Sequence, residues 1–329
     1  MLSKVTNGTM QDIGLILIGC GIAGKMHARA FRELYPQAPL LCIGREGNPP
    51  DRFAKFYNGY VFSSLTEAFN SGKANVSVIA TPPAFHIPYA LDILDRGLCV
   101  LIEKPLAIHV DEARTLVQIA QGHSNSIAVG HVLRCVQVFQ MLRDIIQTGQ
   151  LGEITSWQEL RFAFRPSLER NWWSNLPSGL LGFQGVHSLD LLNWIFGPGL
   201  KEHQLEYLHY SENIGWYDHF RLYAKHSFGF PIFLEHSFNY SKSLSPIYEL
   251  TVKGTKRVAR VTGFNQLELS GELIFQERSP LISAFQKQME NFLKSAFDPG
   301  YNPSCTVIEG IIVTEQIDKF LQVGKRACN

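Results

Sequence analysis

The stretch Ile13-Gly14-Leu15-Ile16-Leu17-Ile18-Gly19-Cys20-Gly21-Ile22-Ala23-Gly24 decides the fold of this 329-residue chain. A short apolar run enters a Gly-x-Gly-x-x-Gly turn, and residues 23–34 then carry apolar side chains at three- and four-residue spacing, so strand, turn and helix follow directly. Each glycine has its own use. Gly19 permits the tight turn, Gly21 lets backbone amides approach a pyrophosphate, and Gly24 lets the helix pack closely on the strand. Ile22 and Ala23 stand at the helix N-terminus, which faces the phosphates. The alternative is a glycine-rich turn that holds no ligand.

Outward from this turn, apolar runs alternate with helical segments up to about residue 130, the pattern of a parallel sheet. Strands are predicted near Gly14–Ile18, Leu40–Ile43, Val76–Ala80, Val100–Glu103 and Ser126–Val129, all reading as buried on both faces. Helices are predicted at Ala23–Leu34, Ile87–Asp95 and Asp111–Gln121. From about Gln150 the runs lengthen and alternate, predicting antiparallel strands at 153–164, 203–210, 219–226, 232–240, 248–253 and 257–262. Helices at about 183–196, 280–296 and 306–323 complete the pattern. The fold class is therefore α/β, a doubly wound parallel sheet, followed by an α+β part with a mainly antiparallel sheet. Residues 1–128 are expected to bind a dinucleotide and 129–329 to form the second part, to which the family resemblance given below adds substrate binding and oligomerisation, with residues 1–12 a polar leader.

Composition narrows the partners. Thirty basic against 29 acidic side chains leave a formal charge of +1, without the basic field that nucleic acid or an anionic membrane surface would require. No run approaches the roughly 20 apolar residues that span a bilayer. The six cysteines show no paired spacing and read as reduced thiols, so a soluble cytoplasmic protein acting on a small molecule is expected. No His-Glu-x-x-His or paired Cys/His spacing suggests a metal, and no Gly-x-Ser-x-Gly or Walker loop is present.

After the second strand, where an acidic residue usually reads the adenosine ribose, the chain has Gly44-Arg45-Glu46. A small Gly44 beside Arg45 offers room and positive charge for a 2′-phosphate, which favours NADP over NAD. In the alternative, Arg45 is a solvated loop residue and Glu46 takes the ribose. Two further strand ends meet the same crevice, Ala80-Thr81-Pro82-Pro83 and Glu103-Lys104-Pro105. A lysine there, beside the positive nicotinamide ring, would have its pKa lowered by burial and by charge; an ordinary surface lysine is the alternative.

The glycine turn, Thr81-Pro82-Pro83 with His86, Glu103-Lys104-Pro105, Gly130-His131 with Arg134, and Gly185-Val186-His187-Ser188-Leu189-Asp190 together resemble the Gfo/Idh/MocA family of oxidoreductases. The resemblance runs over residues 13 to about 197. It implies hydride transfer between nicotinamide C4 and a carbinol or carbonyl of a sugar, polyol or nucleotide-linked sugar, in a homo-oligomer, dimer or tetramer. It also implies that Thr81, Pro82, His86 and Glu103 border the cofactor and that His131 and Arg134 line the cleft, the alternative being that both cap the adjacent helix. Lys104 would bind and polarise the reacting oxygen, the Lys104–Pro105 bond would be cis, and His187 would be the acid/base. An imidazole near a helix start suits that role, and Asp190, one helical step on, would orient His187 or bind a substrate hydroxyl. A helix histidine satisfied by a neighbouring carboxylate is the alternative.

One position departs from the family pattern. Phe183 stands four residues before His187, where relatives carry Asp or Asn, and a phenyl ring can neither hydrogen-bond a hydroxyl nor move a proton. Two rival readings follow from it: a nucleotide-binding sensor or assembly subunit without chemistry, and a reductase of an imine or unsaturated ring. Upstream, Asn171-Trp172-Trp173 with Arg165 and Arg170 offer ring faces and cations to a substrate, or serve as core anchors or subunit contacts.

Overall fold

The computed structural model describes residues 13–45, 50–120, 127–164, 172–212, 215–239, 245–298 and 300–327. Residues 1–12, Glu46, Ser126, Arg165, Arg170, Asn171 and the Trp172 side chain, all named above, lie outside that description. The chain forms two compact units, Met1–Val132 with Ile282–Ile311, and Leu133–Leu281 with Ile312–Asn329.

The first unit contains a six-stranded sheet built from β1 (Leu15–Ile18), β2 (Leu40–Ile43), β3 (Tyr60–Phe62), β4 (Val76–Ile79), β5 (Cys99–Glu103) and β6 (Ile127–Gly130). Its order is β3-β2-β1-β4-β5-β6, and every pairing is parallel. Helices α1 (Ile22–Leu34), α2 (Asp51–Phe56), α3 (Leu65–Asn70), α4 (His86–Asp95) and α5 (Val110–Ala120) make the crossovers. β1, β2, β4 and β6 are buried along their whole length, which is why their sequences are continuous apolar runs rather than alternating ones. One face is filled by Leu15, Leu17, Leu40, Val76, Val78 and Leu101 against Ala28 and Phe31 of α1. Met289, Phe292 and Leu293, from the distant Pro280–Phe297 helix, complete that core. An antiparallel bridge from Ala128 to Thr306 covers the outer edge of β6. β3, α2 and α3 were not predicted. β3 is three residues long and its side chains are mostly exposed, so its composition carries no burial signal.

The second unit contains α6 (Gln137–Gln147), β7 (Ile154–Phe162), α7 (Val186–Phe196), β8 (Leu200–Ser211), β9 (Trp216–His226), β10 (Pro231–Ser237), β11 (Ile247–Gly254), β12 (Val258–Thr262), β13 (Gln266–Leu269) and β14 (Glu272–Gln276). In chain order the Pro280–Phe297 helix, which from Ile282 belongs to the first unit, is α8, and Val307–Ala327 is α9. The eight-stranded sheet has the order β14-β13-β12-β11-β7-β10-β9-β8. All neighbours are antiparallel except β7 and β10. Alternating burial along β9 places Trp216, Asp218, Phe220, Leu222 and Ala224 inside and Tyr217 and Tyr223 outside. The β13–β14 hairpin, absent from the prediction, turns on Ser270 and Gly271 at φ of 53° and 86°, a two-residue loop whose positive angles match strand twist. Helix α6 was also not predicted, although Val138, Phe139, Leu142 and Ile145 form a buried stripe on it. The fold class is the expected one, a doubly wound α/β sheet followed by an α+β part. Among the described residues no helix is long and apolar enough to cross a membrane.

Candidate active site

Parallel pairing places the carboxyl ends of β2, β1, β4 and β5 side by side along one sheet edge of the first unit. That edge carries Gly44 and Arg45 after β2, the glycine turn after β1, Thr81 and Pro82 after β4, and Lys104 after β5. The strand order reverses between β1 and its neighbour β4, and open α/β sheets take ligands at such a point.

The glycines of the turn answer to different constraints. Gly19 has φ of 98°, and a β-carbon there would collide with the Ala80 carbonyl, so both conformation and packing exclude a side chain. Gly24 lies against the Gly19 carbonyl oxygen, which a β-carbon would strike, so helix–strand packing excludes one there too. Gly21 is different. Its backbone is extended at φ −79°, and an added β-carbon would meet nothing within 4 Å. The protein has no internal need for glycine at 21, and the open space beside it is a cradle that a side chain would fill. Helix α1 begins there with no side-chain cap and no acidic residue in its first turn, which leaves its first amides and dipole free to meet an anion. Ile22 beside it is 86% exposed, and Ala23 and Gly24 complete the first turn. A dinucleotide pyrophosphate fits this donor set. Arg45 is exposed at the end of β2 and Gly44 is half-buried, while Glu46 lies outside the described residues.

Behind that edge two polar side chains hold the strand ends. His86 is fully buried, and its ring nitrogens lie 2.9 Å from the carbonyl oxygens of Thr81 and Pro105, so it joins the loop after β4 to the loop after β5. Burial lowers its pKa, while those carbonyls and the charge of Glu103 oppose the shift. Glu103 is buried and bonded to His27 of α1 at 2.8 Å. The Lys104–Pro105 bond is cis. The sequence pattern had not singled out His27, although a histidine on the buried stripe formed by Gly24, Ala28 and Phe31 marks a polar group needing an internal partner. His131 is buried just beyond β6.

In the second unit, one π-helical turn at Leu181–Gly185 leads into α7. His187 is 8% exposed in the first turn of α7. Asp190, one step on, receives the Arg134 guanidinium through Nη2 at 2.7 Å and Nε at 3.0 and 3.1 Å, with side-chain exposures of 1% and 2%. The two residues, both expected to meet substrate, are thus brought together as a bidentate buried ion pair. Beneath α7, Ser188 donates to Glu159 Oε1 of β7 at 2.7 Å and lies 3.3 Å from His236 Nε2 of β10. Burial lowers the His236 pKa against the bond and charge of Glu159, and burial chiefly also lowers that of Arg161 and raises that of Tyr248 on the same inward face. This cluster was missed; its one sequence signal is Glu159 and Arg161 in phase with the inward Trp157. Phe183 lies in an aromatic group with Trp173 at 6.3 Å, Trp216 at 6.2 Å and Phe238 at 5.9 Å between ring centroids.

Residues 13–131 match the oxidoreductase family model with an NAD-binding Rossmann fold, and residues 139–260 match the GFO/IDH/MocA C-terminal domain. The chain belongs to the Gfo/Idh/MocA oxidoreductase family. The rhizopine catabolism protein MocA of Rhizobium meliloti is 28% identical over 191 residues, 57% of this chain and 58% of that one. Glucose-6-phosphate 3-dehydrogenase of Bacillus subtilis is 27% identical over 194 residues, 57% of this chain and 54% of that one. The chain thus spans little more than half the length of these curated relatives. In fold, the oxidoreductase domain protein of Kribbella flavida superposes with a TM-score of 0.85 at 18% identity, over 96% of this chain and 98% of that one.

Two substitutions separate these roles. Gly21→Ala is expected to leave the thermal midpoint unchanged while weakening NADPH and NADH binding by tenfold or more, whereas Gly19→Ala lowers the midpoint; calorimetry and fluorescence titration read the two effects. Asp190→Ala strands a buried guanidinium and is expected to cost about 3–5 kcal/mol in urea unfolding.

Proposed function

We propose that the protein is an oxidoreductase, preferring NADP to NAD, that moves hydride between the nicotinamide and a hydroxyl or carbonyl carbon of a sugar, polyol or nucleotide-sugar-like substrate. The observation that carries the proposal is Gly21, a glycine with no internal purpose at the point where α1 meets the switch of the parallel sheet. Arg45, exposed beside Gly44, supports the NADP preference by offering a cation to a 2′-phosphate. The relatives support the substrate class. Besides the glucose-6-phosphate enzyme, solved proteins of the same fold include an inositol dehydrogenase homolog of Azotobacter vinelandii complexed with NADH and myo-inositol. Another is the WlbA dehydrogenase of Bordetella pertussis with NADH and UDP-GlcNAcA.

When bound, the nicotinamide supplies or accepts the hydride at C4. Lys104 binds the reacting oxygen and stabilises negative charge on it, and His187 gives the oxygen a proton in reduction and takes it back in oxidation. His86 and Glu103 act from behind, holding the loops that carry Thr81, Pro82 and Lys104. Arg134 and Asp190 fix the first turns of α7 under His187. Exposed Leu208, Tyr210, Tyr217 and Tyr223 on the outer side of the second sheet support a homo-oligomer, dimer or tetramer.

Phe183 favours one second reading. Its aromatic neighbours offer no hydroxyl acceptor, which suits reduction of an imine or unsaturated ring, where one proton donor and a hydride suffice.

Fluorescence titration is expected to show tighter binding of NADPH than NADH, with the difference lost in Arg45→Ala; a preference for NADH would reverse the ribose assignment. With a substrate found by screening polyols, sugars and cyclic imines, Lys104→Ala and His187→Ala are each expected to lower kcat by orders of magnitude without weakening nucleotide binding. Unchanged rates in both would remove the assignment. Activity with polyols gained in Phe183→Asp would show that position 183 selects the substrate.

A further inference from the structure

The residue before Lys104 is a carboxylate that the first unit keeps inside. Glu103 ends β5 at 6% exposure, directly opposite Gly130 of β6, where a β-carbon would come within 3.1 Å of its carboxyl carbon. Both of its oxygens are engaged. Oε1 faces His27 Nε2 at 2.8 Å, and Oε2 accepts the main-chain N–H of Lys104 at 3.1 Å. His27 is fully buried, with its ring set edge-on to Phe285 at 5.1 Å, so it has little freedom to turn away. Burial alone would push the Glu103 carboxyl up. The bond and charge of His27, the charge of Lys104 and its N–H outweigh burial and hold the carboxyl below the ordinary range. An ionised carboxylate only accepts, so His27 Nε2 is the donor.

We propose that His27 and Glu103 are a positioning pair for Lys104: His27 aims the carboxylate, which clamps the Lys104 main chain and sets its negative charge beside that lysine. The proposal rests on the reading of Lys104 as the group that binds the reacting oxygen, and it adds what sets that lysine's charge and place. The charged and titratable groups facing Glu103 are His27 from α1, Lys104 from its own strand end and His86 from α4. His27 belongs to the helix whose N-terminus faces the pyrophosphate. Glu103 therefore ties the phosphate-binding element to the lysine through a single side chain.

Competitive acetylation with acetic anhydride, read by peptide mass spectrometry as a function of pH, tests this without a substrate. Only the neutral amine reacts, and Lys25, Lys55 and Lys73 in the same chain serve as references. Glu103→Gln, which keeps the shape but loses the charge and one of the two acceptor oxygens, is expected to raise Lys104 labelling several-fold at neutral pH while the references stay put. The sign follows from charge: removing a nearby anion favours the neutral amine. His27→Leu is expected to move labelling the same way, because the buried carboxyl without its donor takes up a proton. His27→Gln, which restores an N–H donor, is expected to return the wild-type profile. A merely structural role would lower thermal midpoints and leave the Lys104 profile where it was.

An unchanged Lys104 profile in folded Glu103→Gln overturns the proposal, as does His27→Gln deviating as far as His27→Leu. If Glu103→Gln does not fold, the two His27 variants decide alone. Failure of the oxidoreductase reading would look different: no turnover with any substrate, while Lys104 labelling still follows Glu103.

Discussion

Parallel pairing of β1 between β2 and β4 is the constraint on which the first unit depends. Because all of its strands run one way, their carboxyl ends share an edge, and residues from four separate stretches become neighbours. The turn that leaves β1 must then reverse direction within a residue or two beneath the Ala80 carbonyl. That is possible only for Gly19 at positive φ with Gly24 pressed against its carbonyl. The same tightness delivers the amides of α1 to the edge. The donor set proposed for phosphate is thus a by-product of how closely helix and strand pack, and Gly21 is the one glycine of the three that packing does not explain.

Burial of charge organises both units. Glu103 hydrogen-bonded to His27 in the first, and the Arg134–Asp190 ion pair in the second, are taken almost wholly out of water, where each partner would be costly alone. Such pairs add little net stability over an apolar core but tolerate only one geometry. Here they stand next to the groups proposed for the chemistry: Glu103 precedes Lys104, and Asp190 lies one step from His187. Ser188, Glu159 and His236 extend the theme under α7, where an apolar layer would pack as well but would leave the helix free to shift.

Phe183 stands where the family resemblance led to an expectation of Asp or Asn, and its surroundings explain how a ring is accommodated there. Trp173, Trp216 and Phe238 form tilted and edge-on contacts around it, so the ring is held by neighbours of its own kind.

Local pattern carried most of the architecture. The buried parallel strands announce themselves as apolar runs, and the glycine turn by its spacing. Weakly buried elements such as β3 and the β13–β14 hairpin were silent, because exposed strands carry no hydrophobic period. What only tertiary structure decided is pairing. Nothing local says that His27 meets Glu103, that Arg134 takes Asp190, that Glu159 meets Ser188, or that Met289 and Phe292 return to the core of the first sheet. The sequence by itself determined which residues are polar where polarity is expensive. The folded chain decided which of them meet, because a buried charge finds its partner through the packing of elements far apart along the chain.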